Sequence, residues 1–342
     1  MNTIERKLQA FKLERQISRP RAGGIAQPQK PRARVIIGCI TRSGLSANGK
    51  GSKVFVAPFC QELRRQGVAS HICTSLPQIE RLVDTSGDTI LINVFGEDHY
   101  AITSQRMADA ESIATVVFNR SDIGSVIADK QASLDHFTKF GVPMPPVPNS
   151  AGPTFSNARI GTGRSVEVIE NAAHADPGRY NRAMINTVHE FEGRSYYTSV
   201  RLMCIADQIV HAMVRARPRD QEDPSVHSKD TPLDGPLLRY LQEELVRNRM
   251  DAYRHIARQM CEATGPCFIA HDILVESESK TASLCEAGFK FFDSTFQKHI
   301  LPLRSELPFH APLFDNTAYA QRAAKIFLNW LKLRRIGERE AI

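Results

Sequence analysis

Two stretches late in the chain decide how it is read: "FIAHDILVES" (268–277) and "CEAGFKFFDS" (285–294). Both have the apolar character of strands, yet each carries charge inside the run. A strand sends alternate side chains to opposite faces. Glu286, Gly288 and Lys290 therefore share one face, and Ala287, Phe289 and Phe291 the other. In the first stretch Asp272 interrupts the apolar run in the same way. The short connection between the stretches predicts neighbouring strands, with a turn at Glu278–Lys280, on which Asp272 and Glu286 converge. The bland reading is two acids on solvated edge strands. Flanking Ile273, Leu274, Phe289 and Phe291 argue for burial, where an unpaired carboxylate is costly. Converging carboxylates near a triphosphate are a common way to hold Mg²⁺, which takes hard oxygen ligands.

Working upstream, "AMINTVHEFEGRSYYTSVRLMCIADQIVHAMVRARPRD" reads as strand, turn, strand, turn, strand, with turns at Glu192–Gly193 and Ala206–Asp207. Arg201, Arg215 and Arg217 interrupt its apolar strands, and alternation places Arg215 and Arg217 on one face. One strand arginine alone is a solvated residue; three beside a carboxylate pair suit a phosphate or acyl-phosphate clamp. Glu190, at a strand end, has the chemistry to bond a ribose hydroxyl, although a lone glutamate there is more often merely solvated.

Between these motifs, residues 236–263 predict one long helix with Leu237, Leu241, Leu245, Tyr253, Ile256 and Met260 on its apolar side. A last helix carries Tyr319, Ala323, Ile326, Trp330 and Leu333 as a core stripe. Before the meander, "RVIIGCI" (34–40), "ASHICTS", "DTILINVF" (88–95) and "TVVFNR" (115–120) are short strands separated by helices, which means a parallel α/β sheet. The loop "GLSANGKGS" between the first strand and helix departs from a P-loop: Gly51 follows Lys50 where Ser or Thr belongs, and "GSKVFVAP" is β-branched and contains Pro58. It reads as a substrate loop or linker, with the helix following over 54–68. Asp129 and Lys130 open a helix that stops at Gly141, and the prolines at 143, 145, 146 and 148 mark a junction.

The 342 residues, 42% hydrophobic, hold ample material for a core. No apolar run approaches the roughly 18–20 residues that span a bilayer, and the N-terminus lacks a signal-peptide apolar block. A cytoplasmic protein is expected. The seven cysteines and eleven histidines are scattered, which suits buried free thiols and gives no zinc pattern. The formal charge of +7 concentrates in residues 1–33, a basic helix and linker. Without interleaved aromatics this tail ranks nucleic-acid binding last among the readings.

Taken in order, "DKQASLDHFTKFGVPMPP", the strand ending "VHEFEG", the hairpin "SVRLMCIADQIVHAMVRARP" and the pair "AHDILVES"/"LCEAGFKFF" resemble the ATP-grasp superfamily, nearest its glutathione-synthetase-like ligases. The resemblance runs from about Arg34 to Phe292. It implies an α/β and α+β chain: a pre-ATP-grasp parallel-sheet domain over 34–128, then an ATP-grasp domain over 129–336 with antiparallel sheets. That domain divides into a shortened ATP lobe (147–190) and a metal and substrate lobe (191–336). It further implies ATP and Mg²⁺, a small-molecule or peptide carboxylate activated as an acyl-phosphate, and attack by an amine or thiol. Homodimers are frequent in the family. By position, Asp272 and Glu286 would hold magnesium, Glu190 and Arg217 would serve the nucleotide, and Arg201 and Arg215 would face phosphates or the acyl group.

The chain also departs from the family. Gly288 stands where an asparagine usually completes the metal motif, so Lys290 on the same face is expected to meet phosphate directly. The ATP lobe contains no lysine; Arg159 is the substitute candidate, Arg164 the second, beside the Gly-rich "GTGR". A nucleotide-binding or partner-binding protein without turnover is thus the alternative to a ligase.

Overall fold

The structure, a computed structural model, describes residues 25–29, 31, 33–38, 49–73, 76–83, 88–93, 105–149, 152–160, 166–221 and 224–336. Most of the basic tail, most of the "GLSANGKGS" loop, and Arg164 with "GTGR" lie outside them. Strands β1 (Arg34–Gly38), β2 (Ala69–Cys73), β3 (Thr89–Asn93) and β4 (Val116–Phe118) form a parallel sheet in the order β2-β1-β3-β4. Helices α1 (Gly49–Arg65), α2 (Leu76–Leu82) and α3 (Gln105–Ile113) connect them. The strands are almost wholly apolar because a parallel sheet is covered on both sides. Helix α1 departs from expectation: it begins at Gly49 and runs through Pro58. Burial of Phe55, Val56, Phe59, Cys60 and Leu63 along one stripe outweighs the single backbone hydrogen bond that Pro58 removes.

Helices α4 (Ser121–Ala128) and α5 (Lys130–Lys139) lead into the second half, and Asp129 caps α5 by accepting the amides of Gln131 and Ala132. A three-stranded antiparallel sheet follows, β5 (Thr154–Asn157), β6 (Glu167–Ile169) and β7 (Tyr180–Ala183), in the order β6-β5-β7. The larger antiparallel sheet contains β8 (Val188–Phe191), β9 (Arg194–Ile205), β10 (Gln208–Pro218), β11 (Phe268–Val275) and β12 (Ala282–Phe289). Its order is β10-β9-β11-β12, with β8 pairing β9. The expected turns are present, with Glu192, Gly193 and Ala206 at positive φ. The fold class expected from the sequence is therefore the one observed.

Where one long helix is expected over 236–263, the chain forms α6 (Gly235–Leu245) and α7 (Met250–Thr264) around a 3₁₀ turn at Arg247–Arg249. An unbroken helix would place Arg249, four residues after Leu245, on the buried stripe. The turn removes it, and Tyr253 donates its hydroxyl hydrogen bond to the Leu245 carbonyl across the break. Helices α8 (Ser294–Ile300), α9 (Ala311–Phe314) and α10 (Asn316–Leu333) complete the chain. In α10 the buried stripe is Tyr319, Ala320, Ala323, Ala324, Phe327, Trp330 and Leu331, whereas Leu333 is 81% exposed. The expected stripe drifts off the helix face by its last turn.

The larger sheet has two unlike faces. Val200, Leu202, Cys204, Val214, Ile269 and Ile273 face one way and pack under α6 and α7. On the other face Met203, Ile205, Met213, Phe268 and Ala270 join α1 and α10 in a core. Continuing along the same alternation, that second face carries Ser199, Arg201, Arg215 and Asp272. A charged half of the sheet is thus anchored by an apolar half. Asn119, at φ 58, joins the layers: its Oδ1 accepts the Phe268 amide at 2.8 Å, and its Nδ2 donates to the Asn93 carbonyl at 2.8 Å.

Buried histidines are expected to make the fold acid-sensitive. His211 Nε2 lies 2.9 Å from His310 Nδ1, and His271 is fully buried with neither ring nitrogen hydrogen-bonded. Burial pushes His211 and His271 down to about 4, and holds His310 well below the usual histidine value, with His211 beside it adding to the effect. The unfolded chain binds these protons from about pH 6.5 downward. Stability is therefore full above that pH and is lost as the pH falls toward about 4; thermal melts from pH 7.5 to 4.5 should show a fall of several degrees that His211→Phe reduces. Replacing Asn119 by Ala strands the Phe268 amide and imposes positive φ on alanine. A loss of about 2–3 kcal/mol in urea unfolding is expected.

Candidate functional site

Between the small and large sheets lies a cleft of about 830 Å³, within the usual range for a small-molecule site. Its floor is the charged half of the large sheet. Register pairs Asp272 with Arg201 on β9 and with Glu286 on β12. The β11–β12 ladder then shifts, so that Ile273 faces Leu284 and Cys285 is the extra residue. Such a bulge re-aims neighbouring side chains. Here it brings Cys285, Glu286 and Gly288 all to the cleft wall.

Arg201 holds the floor together. Its Nε and Nη2 each donate to one oxygen of Asp272 at 2.7 Å, a two-pronged pair. Its Nη1 donates to Asp293 Oδ2 at 2.6 Å. Arg215, only 5% exposed, places Nη2 at 3.2 Å from Asp272 Oδ2 and donates from Nε to Ser199 Oγ at 3.1 Å. Asp293 also caps α8 by accepting the Phe296 amide at 3.0 Å, and Lys290 Nζ stands 4.0 Å from its Oδ2.

Burial alone would raise the Asp272 carboxyl, but Arg201 and Arg215 outweigh it and hold the group well below the carboxylate range. Against the same cost of burial, Lys290 and Arg201 bring Asp293 down to about 2. Arg215 moves the other way, lowered by burial and by Arg201 beside it. Of the two arginines on Asp272 it is the less compensated, since Arg201 also pairs with Asp293. Burial, with Glu286 next to it, pushes the Cys285 thiol up to about 12, which disfavours its thiolate.

The remaining candidates from the sequence sit elsewhere. Arg159 is exposed and paired with Asp129, Nη2 to Oδ2 at 2.6 Å, so it braces the start of α5. Arg217 donates to Gln221 and to the Ser225 carbonyl and lies 3.8 Å from Asp230, tying down the 218–230 loop. Glu190 is exposed and takes the Ser195 hydroxyl at 2.5 Å. None of these three lines the cleft; the connecting segment that does is Ala183–Ile185 with Thr187. Glu190, expected in an adenosine hinge, is on β8, which pairs with β9, and its side chain faces solvent.

Residues that sequence reasoning missed are Arg182, Asp293 and Lys130, all on the cleft wall. Asp293 carried a legible signal, an acid directly before a helix-opening Ser-Thr pair. Arg182, within the four-residue strand "YNRA", carried none. Among the described lining residues, Lys130, Arg182, Arg201, Arg215, Lys229 and Lys290 stand against Asp272, Glu286 and Asp293. The excess of cations marks a site for an anion.

As a magnesium shell the donor set does not fit. Each Asp272 oxygen already faces a guanidinium N–H, position 288 offers no side chain, and no group of three His, Cys, Asp or Glu able to hold a metal occurs among the described residues. A second concavity of about 850 Å³ lies near Trp330. There Arg120 is already paired with Asp122 and Arg334 stacks on the indole.

No family model and no curated protein matches the chain. Among solved structures it is similar to an ATP-grasp RimK domain protein of Sphaerobacter thermophilus, at 13% identity, covering 86% of this chain and 99% of that one, TM-score 0.41. It is also similar to the D-alanine–D-alanine ligase of Bacillus anthracis complexed with ATP, at 12% identity, 90% and 99% coverage, TM-score 0.49. A third is the L-amino acid ligase of Bacillus licheniformis, at 12% identity, 85% and 75% coverage, TM-score 0.45. No helix among the described residues is long and apolar enough to cross a membrane.

Removing the Asp272 charge leaves two guanidiniums facing each other with half their compensation gone. Asp272→Asn is expected to cost about 3 kcal/mol in chemical denaturation. Asp230→Asn removes the charge 3.8 Å from Arg217 and leaves an amide oxygen able to accept the His227 amide; it is expected to cost less than about 0.5 kcal/mol.

Proposed function

We propose that the cleft binds ATP and that the protein is an ATP-dependent ligase of the ATP-grasp type. In this reading a small-molecule or peptide carboxylate is activated as an acyl-phosphate, which an amine or thiol then attacks. The observation that carries it is the convergence of Arg201, Arg215 and Lys290 on the floor of a cleft between two antiparallel sheets. It agrees with the order of sequence motifs that resembles that superfamily.

Arg215 is the residue for developing charge. It is buried, held at a fixed angle by Ser199, and under-compensated. A preorganised guanidinium of that kind stabilises charge that grows on a transferring phosphoryl or acyl oxygen. Lys290 stands at the same wall, while Thr187 and the Ala183–Ile185 backbone edge the end of the cleft nearest the small sheet and suit an adenine. Magnesium, where a ligase of this type uses it, would supply further neutralisation of the phosphates; the steps assigned here belong to the side chains.

A second reading, nucleotide binding without turnover, is favoured by one observation: Asp272 is committed to two arginines and Gly288 replaces a donor.

ADP release from ATP, measured across a panel of carboxylates with amines and thiols, separates the two. A ligase shows release that requires both co-substrates and falls about 100-fold or more in Arg215→Ala. No release with nucleotide bound favours the second reading, and release that ignores the co-substrates is hydrolysis, which argues against both.

A further inference from the structure

Arg182 is an unusual cation among the described residues. It projects from β7 of the small sheet, is 7% exposed, lines the cleft, and its Nε has no hydrogen-bond partner. Its guanidinium lies 5.4 Å from the centroid of the Tyr180 ring, and it makes no ion pair among the described residues. A buried guanidinium with an unmet donor is costly unless something supplies the acceptor. Across the cleft, Asp272 offers its oxygens to Arg201 and Arg215 rather than to open space. A divalent cation placed on those oxygens would lie against three N–H donors.

We infer that the polyphosphate chain is clamped between Arg182 on the small sheet and Arg201 with Arg215 on the large one, without a divalent cation, and that Asp272 positions the two arginines instead of ligating a metal. The inference rests on the nucleotide reading above only for the identity of the anion. Guanidinium groups suit the task because each presents parallel donors to phosphate oxygens. The six cations against three carboxylates on the described lining match the charge of a polyphosphate that arrives bare. The two sides also divide the labour. Arg201 and Arg215 are fixed by Asp272 and Ser199 before any ligand arrives, whereas the unmet donor of Arg182 is satisfied only by the ligand.

The test is calorimetric titration of the full chain with ATP and, separately, with inorganic tripolyphosphate, each in excess Mg²⁺ and in EDTA. The expected result is that both probes bind in EDTA with dissociation constants no more than about threefold weaker than in Mg²⁺. Arg182→Ala is expected to weaken both by about 10- to 100-fold, as for loss of hydrogen bonds to a charged group, with no fall in the Tm of the free protein. Arg182→Lys should recover part of the loss. A loss of tenfold or more in EDTA would overturn the metal-free clamp, as would failure of both probes to bind in either condition. Unchanged affinity in Arg182→Ala, or a lowered Tm with unchanged affinity, would remove Arg182 from it. Tripolyphosphate binding in EDTA without ATP binding would leave the clamp standing and sink the nucleotide reading.

Discussion

One guanidinium governs the middle of this molecule. Arg201 bonds Asp272 with two prongs and Asp293 with a third, and so joins β9, β11 and the start of α8. Burying three charged groups is tolerable only because their geometry satisfies nearly every donor and acceptor. Everything around them is then constrained. Asp293 must stay at the helix cap, β12 must end where it does, and Arg215 must share Asp272 with a neighbour of like charge. The positive character of the cleft follows from a shortage of carboxylates, three against six cations on the described lining.

The large sheet shows how one strand serves two purposes. Along β9, Met203 and Ile205 sit in the core shared with α1 and α10, while Arg201 and Ser199 on the same face reach the cleft. Strands β10 and β11 change at the same level, from Met213 to Arg215 and from Ala270 to Asp272. The apolar half fixes the register, since slipping by one residue would turn every side chain to the wrong face. The charged half inherits that register. Precise placement of the arginines is thus a product of hydrophobic packing a turn of the pleat away.

Much of this was legible beforehand, and the gaps have physical causes. The parallel strands, the meander and the pairing of Asp272 with Glu286 follow from local periodicity and turn residues, which short-range patterns encode well. Helix α1 was missed at its first turn because Pro58 and β-branched residues oppose a helix locally, while the burial that overrides them comes from distant α10. The break at Arg247–Arg249 could have been read, since Arg249 falls on an otherwise apolar stripe. Glu190 and Arg159 have the right chemistry but the wrong direction. A single sequence specifies which face a strand residue takes, not which neighbour that face meets. Arg182 lay hidden for the same reason, in a strand too short to show a pattern.

The Asn119 side chain bonds the first amide of β11 and the carbonyl of Asn93 in β3. The strand bearing Asp272 is thereby riveted to the N-terminal layer, and the aromatic packing of Phe118 against Phe268 and Phe327 adds a second rivet. These two layers form a single anvil. The small sheet is held differently, by the proline segment before β5, by the Ala183–Thr187 connection, and by hydrogen bonds such as Ala183 N–H to the Pro146 carbonyl. The two walls of the cleft are thus joined to the rest of the molecule by different means, side-chain and aromatic contacts on one and connecting segments on the other, and Arg182 belongs to the second. In the clamp inferred above, a ligand bonded to Arg182 would tie the small sheet to the floor of the cleft.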